Sequence, residues 1–249
     1  MENKAFNITL ELDWKLINLI SSVRLFTYCA ILLLCACTAP DDSFRLQTGD
    51  LLFQVGSGRM SSAIYTVTFG ESDINYTHVG IALVKGDTVF VIEAIPQGVS
   101  KTHLDTFLLR SAQIDKKPIV AVGRLKPEYR GYIPDAVARA KNLLGKPYDF
   151  VFCAENDAYY CSELVEVAFL NRQNIPIFEP INMNFRDGDV NLPTYWTTHF
   201  ERHNAEIPEN KPGSNPGNMS RSDKIDIVFR YFQIAEIKFQ ALCCSYCSF

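Results

Sequence analysis

The sequence predicts an α+β fold in which an antiparallel sheet, or a small barrel made from one, packs against helices. Three observations carry this prediction. Residues 77–85 and 88–94 are two β-rich runs separated only by Gly86-Asp87, a two-residue Gly-X loop that signals a hairpin. Residues 133–145 carry helix start and stop signals at both ends. A second amphipathic helix opens at Cys161.

The chain has 249 residues, 47% of them hydrophobic, enough to bury one substantial core at ~150 residues per domain. Its formal net charge of -4 comes from both signs scattered along the chain, so nothing suggests a nucleic-acid partner. There is no zinc-finger spacing, no Gly-rich phosphate loop and no internal repeat, and no cofactor or metal is expected.

The N-terminus reads as an export signal. Arg24 precedes an apolar run over 25–37 that is shorter than the ~20 residues of a membrane span. It closes as Leu34-Cys35-Ala36-Cys37 and is followed by Thr38-Ala39-Pro40-Asp41-Asp42. That ending resembles the bacterial lipobox, which implies acylation of Cys37, a mature N-terminus there, and a lipid anchor to a membrane of the cell envelope, with the absence of Asp at position 38 resembling lipoproteins sent to an outer membrane. An ordinary secretory signal and an uncleaved anchor are the alternatives. Residues 1–22 carry Glu2, Glu11 and Asp13, an unusually acidic lead, so translation beginning near Val23 or Leu25 is a further hypothesis. The domains expected are a signal peptide at 1–37, a tether at 38–46, a globular body at 47–232 and a tail at 233–249. Cys153, Cys161, Cys243, Cys244 and Cys247 remain in the exported part, an odd number that leaves at least one thiol free. Cys161 is the expected reactive one, and the Cys-rich tail supports no reading.

Within the body, Gln47-Thr48-Gly49-Asp50 leads into the buried-strand pattern Leu51-Leu52-Phe53-Gln54-Val55, ended by Gly56-Ser57-Gly58. Residues 61–69 suit a short helix despite their β-branched content. In the hairpin, pairing of Lys85 with Thr88 places Val84 opposite Val89, Ala82 opposite Val91 and Gly80 opposite Glu93. His78 is then a diagonal neighbour of Glu93 on the same face, with backbones ~7–8 Å apart and Gly80 leaving space between them. A carboxylate on one imidazole nitrogen fixes the tautomer and leaves the other nitrogen for a thiol. Taken alone, His78 reads as an ordinary strand histidine; Glu93 and the downstream cysteine favour chemistry.

Residues 118–125 form a further strand. Pro134 and Asp135 open the following helix, Val137, Ala140 and Leu144 form its apolar stripe, and Gly145 stops it. Gly145-Lys146-Pro147-Tyr148-Asp149 leads on to the Cys161 helix, whose buried stripe is Leu164, Val165, Ala168 and Phe169, with Glu163 and Glu166 pointing away. Cys161 falls in the first turn, where unpaired N–H groups and the helix dipole favour thiolate, although a small core cysteine fits equally well. His103, His199 and His203 read as solvent-facing, Lys116-Lys117 as turn charge and residues 204–222 as a long surface segment.

Gly49-Asp50-Leu51-Leu52, Thr77-His78-Val79-Gly80-Ile81, Val91-Ile92-Glu93-Ala94, Gly145-Lys146-Pro147-Tyr148-Asp149 and Tyr160-Cys161-Ser162-Glu163-Leu164-Val165 together resemble the YiiX/YebB-like family. These are circularly permuted papain-fold cysteine hydrolases related to NlpC-type cell-wall peptidases and to the lecithin:retinol acyltransferase group. The resemblance spans roughly residues 46–232. It implies a permuted papain-like fold with the catalytic cysteine at a helix N-terminus, which accounts for His preceding Cys in the chain. It makes Cys161 the nucleophile, His78 the base and acid, and Glu93 the residue that orients His78. Tyr148, otherwise a packed aromatic, becomes a candidate to line the site or the oxyanion, and Asp50 matches a recurring position near the site. The implied function is cleavage of amide bonds in cell-envelope material through a thioester, with the backbone N–H of Cys161 as an oxyanion donor, the substrate among envelope peptides, isopeptides, acylated amines and lipids being left open. A lipid-directed acyltransferase or esterase, a non-catalytic envelope lipoprotein, and a zinc site at His78, Glu93 and Cys161 are the competing readings.

Overall fold

A computed structural model of the chain describes residues 44–188, 191–235 and 237. Cys37 with the rest of the signal reading, and Cys243, Cys244 and Cys247, lie outside the described residues. The unit that carries the site begins at Leu46.

The strands are β1 (Leu51–Gln54), β2 (His78–Lys85), β3 (Thr88–Ile95), β4 (Gly98–His103), β5 (Gln113–Ile114), β6 (Lys117–Pro118), β7 (Val120–Leu125), β8 (Ile181–Asn182), β9 (Pro212–Gly213) and β10 (Ile225–Arg230). The helices are α1 (Arg59–Thr66), α2 (Leu104–Leu109), α3 (Ile133–Asn142), α4 (Cys161–Ala168), α5 (Thr194–Arg202) and α6 (Pro216–Ser220). Six strands join in the order β10, β7, β1, β2, β3, β4, with every neighbouring pair antiparallel. The order has two ends, so the arrangement is an open sheet packed against helices, an α+β fold.

The β2–β3 hairpin closes at Gly86, whose φ of +58° is a conformation that glycine adopts without steric cost. Lys85 pairs with Thr88, Val84 with Val89 and Ala82 with Val91, the register that the sequence predicts. Alternation along the strands then sorts the side chains onto two faces. One face presents Leu51, Phe53, Val79, Ile81 and Ile92 to Ala136, Val137 and Ala140 of α3 and Leu164, Val165 and Ala168 of α4. The other face buries Leu52, Ala82, Val91 and Val120 under Phe107 of α2. A side chain such as Leu164, fully buried between sheet and helix, is expected to cost about 2–5 kcal/mol on truncation to Ala.

A second cluster joins α1 and α5 through Ala63, Phe152, Tyr160, Met183, Phe185, Trp196 and Phe200. It corrects the reading of His199 as solvent-facing. That residue is 6% exposed, and its Nε2 lies 2.7 Å from the carbonyl oxygen of Phe150, a tie between α5 and the loop before α4. His103 and His203 are exposed, as expected. The 204–222 segment is only partly surface, because Pro216, Gly217, Met219 and Ser220 of α6 are buried. Glu163 also departs from expectation: it is buried, since its carboxylate accepts a hydrogen bond from the Tyr160 backbone N–H at 3.2 Å and closes the first turn of α4.

Candidate active site

His78 is the first residue of β2 and pairs across the sheet with Gln54, the last residue of β1. Glu93 comes from β3 and is completely buried. Gly80 separates the two: a Cβ there would approach Val91 Cγ1 to 2.4 Å and Glu93 Cβ to 3.2 Å, so only glycine leaves room for the diagonal contact. His78 Nε2 donates to Glu93 Oε2 at 2.6 Å. Its remaining nitrogen, Nδ1, is the one left for Cys161, which lines the same cavity as His78 and raises the imidazole pKa.

Cys161 is the first residue of α4, with Tyr160 as an extended N-cap. It is 5% exposed, and its own backbone N–H heads the helix, where no intrahelical carbonyl is available. The approach to α4 is fixed by backbone pairing. Tyr159 N–H donates to Pro147 O at 3.0 Å and Asp149 N–H donates to Tyr159 O at 3.2 Å. Asp149 is itself buried and its carboxylate accepts from the N–H groups of Val151 at 2.8 Å and Cys153 at 2.6 Å. On the other side, Val99 and the 145–146 turn exchange backbone hydrogen bonds, and Gly98 (φ +105°) lies so close to the turn that a Cβ would reach Lys146 O at 2.5 Å. The helix start is thereby tied to β4 and to the end of the sheet that carries His78.

The electrostatics follow from these contacts. Burial pulls the His78 pKa down, but the hydrogen bonds and charges of Cys161 and Glu93 outweigh it and raise the value from 6.5 to about 9. Burial raises the Glu93 carboxyl, while the His78 hydrogen bond and charge, the Arg110 charge and a Thr102 hydrogen bond pull it below its ordinary value. At neutral pH the pair is therefore imidazolium and carboxylate. Glu163 behaves in the opposite way, its pKa pushed up to about 8 chiefly by burial.

Of the residues expected at the site, the structure brings Cys161, His78, Glu93 and Tyr148 together. Tyr148 stands between two cavities that meet at Cys161, with its hydroxyl 3.7 Å from Met60 Sδ. Asp50 is not part of the site. It sits at the far end of β1 from Gln54, about 13 Å away at ~3.3 Å per residue, in a two-pronged ion pair with Arg124 at 2.8 Å to each oxygen. It also accepts from Gln47 N–H at 2.7 Å, so its role is to lock the chain entry onto the sheet.

Two residues were not singled out from the sequence. Arg110, immediately after α2, donates through Nη2 to Glu93 Oε1, so the carboxylate is shared between Arg110 and His78. A lone cation after a short apolar run carries no specific signal. Gln54 is 3% exposed and donates through Nε2 to Phe107 O at 2.6 Å, holding α2 over the His78 face. A glutamine inside a buried-strand pattern, opposite His78, was a legible hint.

The larger cavity, about 430 Å³, is lined by Gln54, Thr77, His78, Arg110 and Cys161 among apolar residues such as Met60 and Ile95. The smaller, about 60 Å³, shares Cys161 and Tyr148 with the larger and is walled mainly by apolar and aromatic side chains. The fold and the permuted order of the motifs define a papain-like hydrolase class. Residues 45–229 match the family described as permuted papain-like amidase enzyme, YaeF/YiiX, C92 family, and the chain belongs to that family of amidases. It is 28% identical over 171 residues to the uncharacterized protein YiiX of Escherichia coli K12, covering 69% of this chain and 80% of that one. The crystal structure of a protein described as metalloprotein yiiX from Escherichia coli O157:H7 superposes with a TM-score of 0.61 at 25% identity, covering 76% of this chain and all of that one.

Proposed function

We propose that the chain is an exported, lipid-anchored cysteine amidase that cleaves amide bonds in cell-envelope peptides through a thioester. The observation that carries the reading is His78, held by Glu93 on one nitrogen and lining one cavity with Cys161, with a pKa raised to about 9. Such a histidine is an acid at neutral pH, suited to stabilising a thiolate and then protonating a leaving amine.

In the proposed reaction the Cys161 thiolate adds to the substrate carbonyl carbon. A C–S bond forms and the carbonyl electron pair moves onto oxygen, next to the Cys161 backbone N–H. Collapse breaks the C–N bond while the Nδ1 proton of His78 passes to the departing amine. The neutral imidazole then takes a proton from water, a C–O bond forms, the C–S bond breaks, and thiolate and imidazolium are restored. Glu93 stays ionised throughout and keeps the imidazole oriented. The lipobox ending at Cys37 supports an envelope-side substrate pool.

The relative described as a metalloprotein raises the question of a metal here. Among the described residues no three His, Cys, Asp or Glu side chains are grouped to share an ion, and both Glu93 oxygens already accept from His78 and Arg110. The donor set does not fit a metal ion. The direct test is hydrolysis of a peptide anilide by wild type and Cys161→Ala, with mass spectrometry of the acyl-enzyme on rapid quenching. Loss of turnover and of the adduct in the variant is expected; equal turnover would reject the nucleophile.

A further inference from the structure

We infer that the smaller cavity is an acyl-side specificity pocket for a short, uncharged group that ends in a hydrogen-bond acceptor. The assignment of sides rests on the catalytic reading above. His78 must protonate the leaving amine, and it lines the larger cleft but not the smaller cavity. The leaving group therefore occupies the larger cleft, and the acyl part extends past Cys161 into the smaller one.

Three residues that line that cavity each carry a buried polar atom without any hydrogen-bond partner: Thr68 Oγ1, Ser162 Oγ and Trp196 Nε1. Each of these residues is about 1% exposed. Buried polar groups normally find partners, and each one left unpaired costs about 1–3 kcal/mol. Half of the unpartnered side-chain atoms among the described residues, three of six, belong to residues that line one cavity beside the proposed nucleophile. The indole N–H can only donate, and the two hydroxyls donate or accept, so the set suits an oxygen acceptor such as a carboxamide.

The rest of the wall limits the ligand. Phe152, Met183 and Phe185 supply an apolar lining, and no Asp, Glu, Lys, Arg or His lines the cavity. A carboxylate or ammonium would be buried there without a counter-charge. At roughly 10–15 Å³ per water-sized body, the about 60 Å³ available holds about four to six heavy atoms, which excludes a long acyl chain. A site built to hydrogen-bond a polar group discriminates strongly against an isostere that lacks it, because its own groups then stay unpaired.

Binding is tested apart from catalysis in a Trp14→Phe, Cys161→Ala chain, where Trp196 is the sole tryptophan and reports occupancy by its emission. Propanamide should shift that emission saturably. Propanoate and dodecanamide should bind at least ~10-fold more weakly, and Thr68→Val with Ser162→Ala should weaken propanamide by a similar factor. Equal binding of amide and carboxylate, or no effect of the double substitution, would overturn the pocket. The kinetic arm compares 4-nitroanilides of succinamic acid, 4-methylpentanoic acid and succinic acid, whose acyl tails match in size. A preference of ~10- to 100-fold in kcat/KM for the carboxamide over the methyl isostere is expected in the wild type, shrinking about tenfold in Trp196→Phe. A ratio near one, or one unmoved by Trp196→Phe, refutes acyl-side selection. Turnover that survives Cys161→Ala strikes instead at the catalytic reading and at the side assignment drawn from it, while the emission titration still decides the pocket.

Discussion

Replacing Glu93 by Gln keeps the size of the side chain and an acceptor for His78 Nε2 but removes the charge. The rise of His78 from 6.5 to about 9 favours the charged imidazole by about 3 kcal/mol at ~1.4 kcal/mol per pH unit, even though burial opposes it. Cys161 and Glu93 supply that stabilisation together, so losing one of them should lower the His78 pKa by at least ~1 unit. Arg110, which donates to the Glu93 carboxylate, is then left facing a neutral amide and pushes the imidazole further toward its neutral form. Linkage gives the stability consequence. A histidine raised in the folded state contributes in full below pH 6.5 and loses that contribution as pH climbs through about 9. In Glu93→Gln the loss should come at lower pH. The assay is an NMR titration of carbon-13-labelled histidine, with denaturant unfolding at several pH values. Turnover should fall by ~10² to 10⁴, mainly in kcat, as when the orienting carboxylate of a serine triad is removed. An unchanged His78 pKa, or a rate within tenfold of wild type, would refute the coupling argument.

Near neutral pH, iodoacetamide should label Cys161 well ahead of the exposed Cys153, and Cys161→Ala should lose that fast labelling in a peptide map where Cys153→Ala keeps it. Asp50→Asn should destabilise the chain by about 1.5–3 kcal/mol in denaturant unfolding, because it removes the charge from a buried carboxylate that accepts two hydrogen bonds from Arg124, while kcat per folded molecule stays unchanged. Glu163→Gln keeps the acceptor for Tyr160 N–H and removes a carboxyl whose ionisation burial opposes. It should leave stability unchanged below pH 4.5 and raise it progressively up to pH 8, by up to about 4–5 kcal/mol at ~1.4 kcal/mol per pH unit, in paired melts at the two pH values. If Cys37 is acylated, Cys37→Ala should move the protein from the membrane to the soluble fraction; identical partition and identical N-termini would reject lipidation.

Much of the site was legible because it depends on strand arithmetic. Gly86-Asp87 fixes the hairpin register, the register fixes the diagonal of His78 and Glu93, and Gly80 keeps that diagonal open. The Cys161 helix start was legible from its apolar stripe alone. What the sequence hid depends on contacts between distant segments. Arg110 reaches Glu93 only because α2 folds back over the sheet, pinned by Gln54, and nothing near residue 110 announces it. Glu163 looked like a solvent-facing helix residue because the usual Ser or Thr of a capping box is replaced by Tyr160; half of the box is present all the same. His199 lies in a polar-looking stretch, yet the aromatic cluster around Trp196 and Phe200 buries it. Asp50 was placed near the site by family resemblance, whereas its ion pair with Arg124 serves the opposite end of β1.

The reversed order of histidine and cysteine has a simple physical basis in these elements. The pair requires only that the first residue of a strand and the first residue of a helix meet at one end of the sheet. Neither requirement refers to which element comes first in the chain. The constraint falls on the connections: the 145–160 segment must bring the helix start back to the end of β2. Its ties to β4 through Gly98 and Val99, and to its own turn through Asp149, do this. A change that loosens these ties, such as Gly98→Ala, which forces a Cβ against Lys146 O from a positive φ, should displace Cys161 from His78 without touching either residue. The resulting drop in kcat should come with a lowered His78 pKa, since the Cys161 hydrogen bond and charge would be lost. A Gly98→Ala enzyme with full activity and a wild-type His78 titration would show that the helix start is positioned by something other than this strand-to-loop contact.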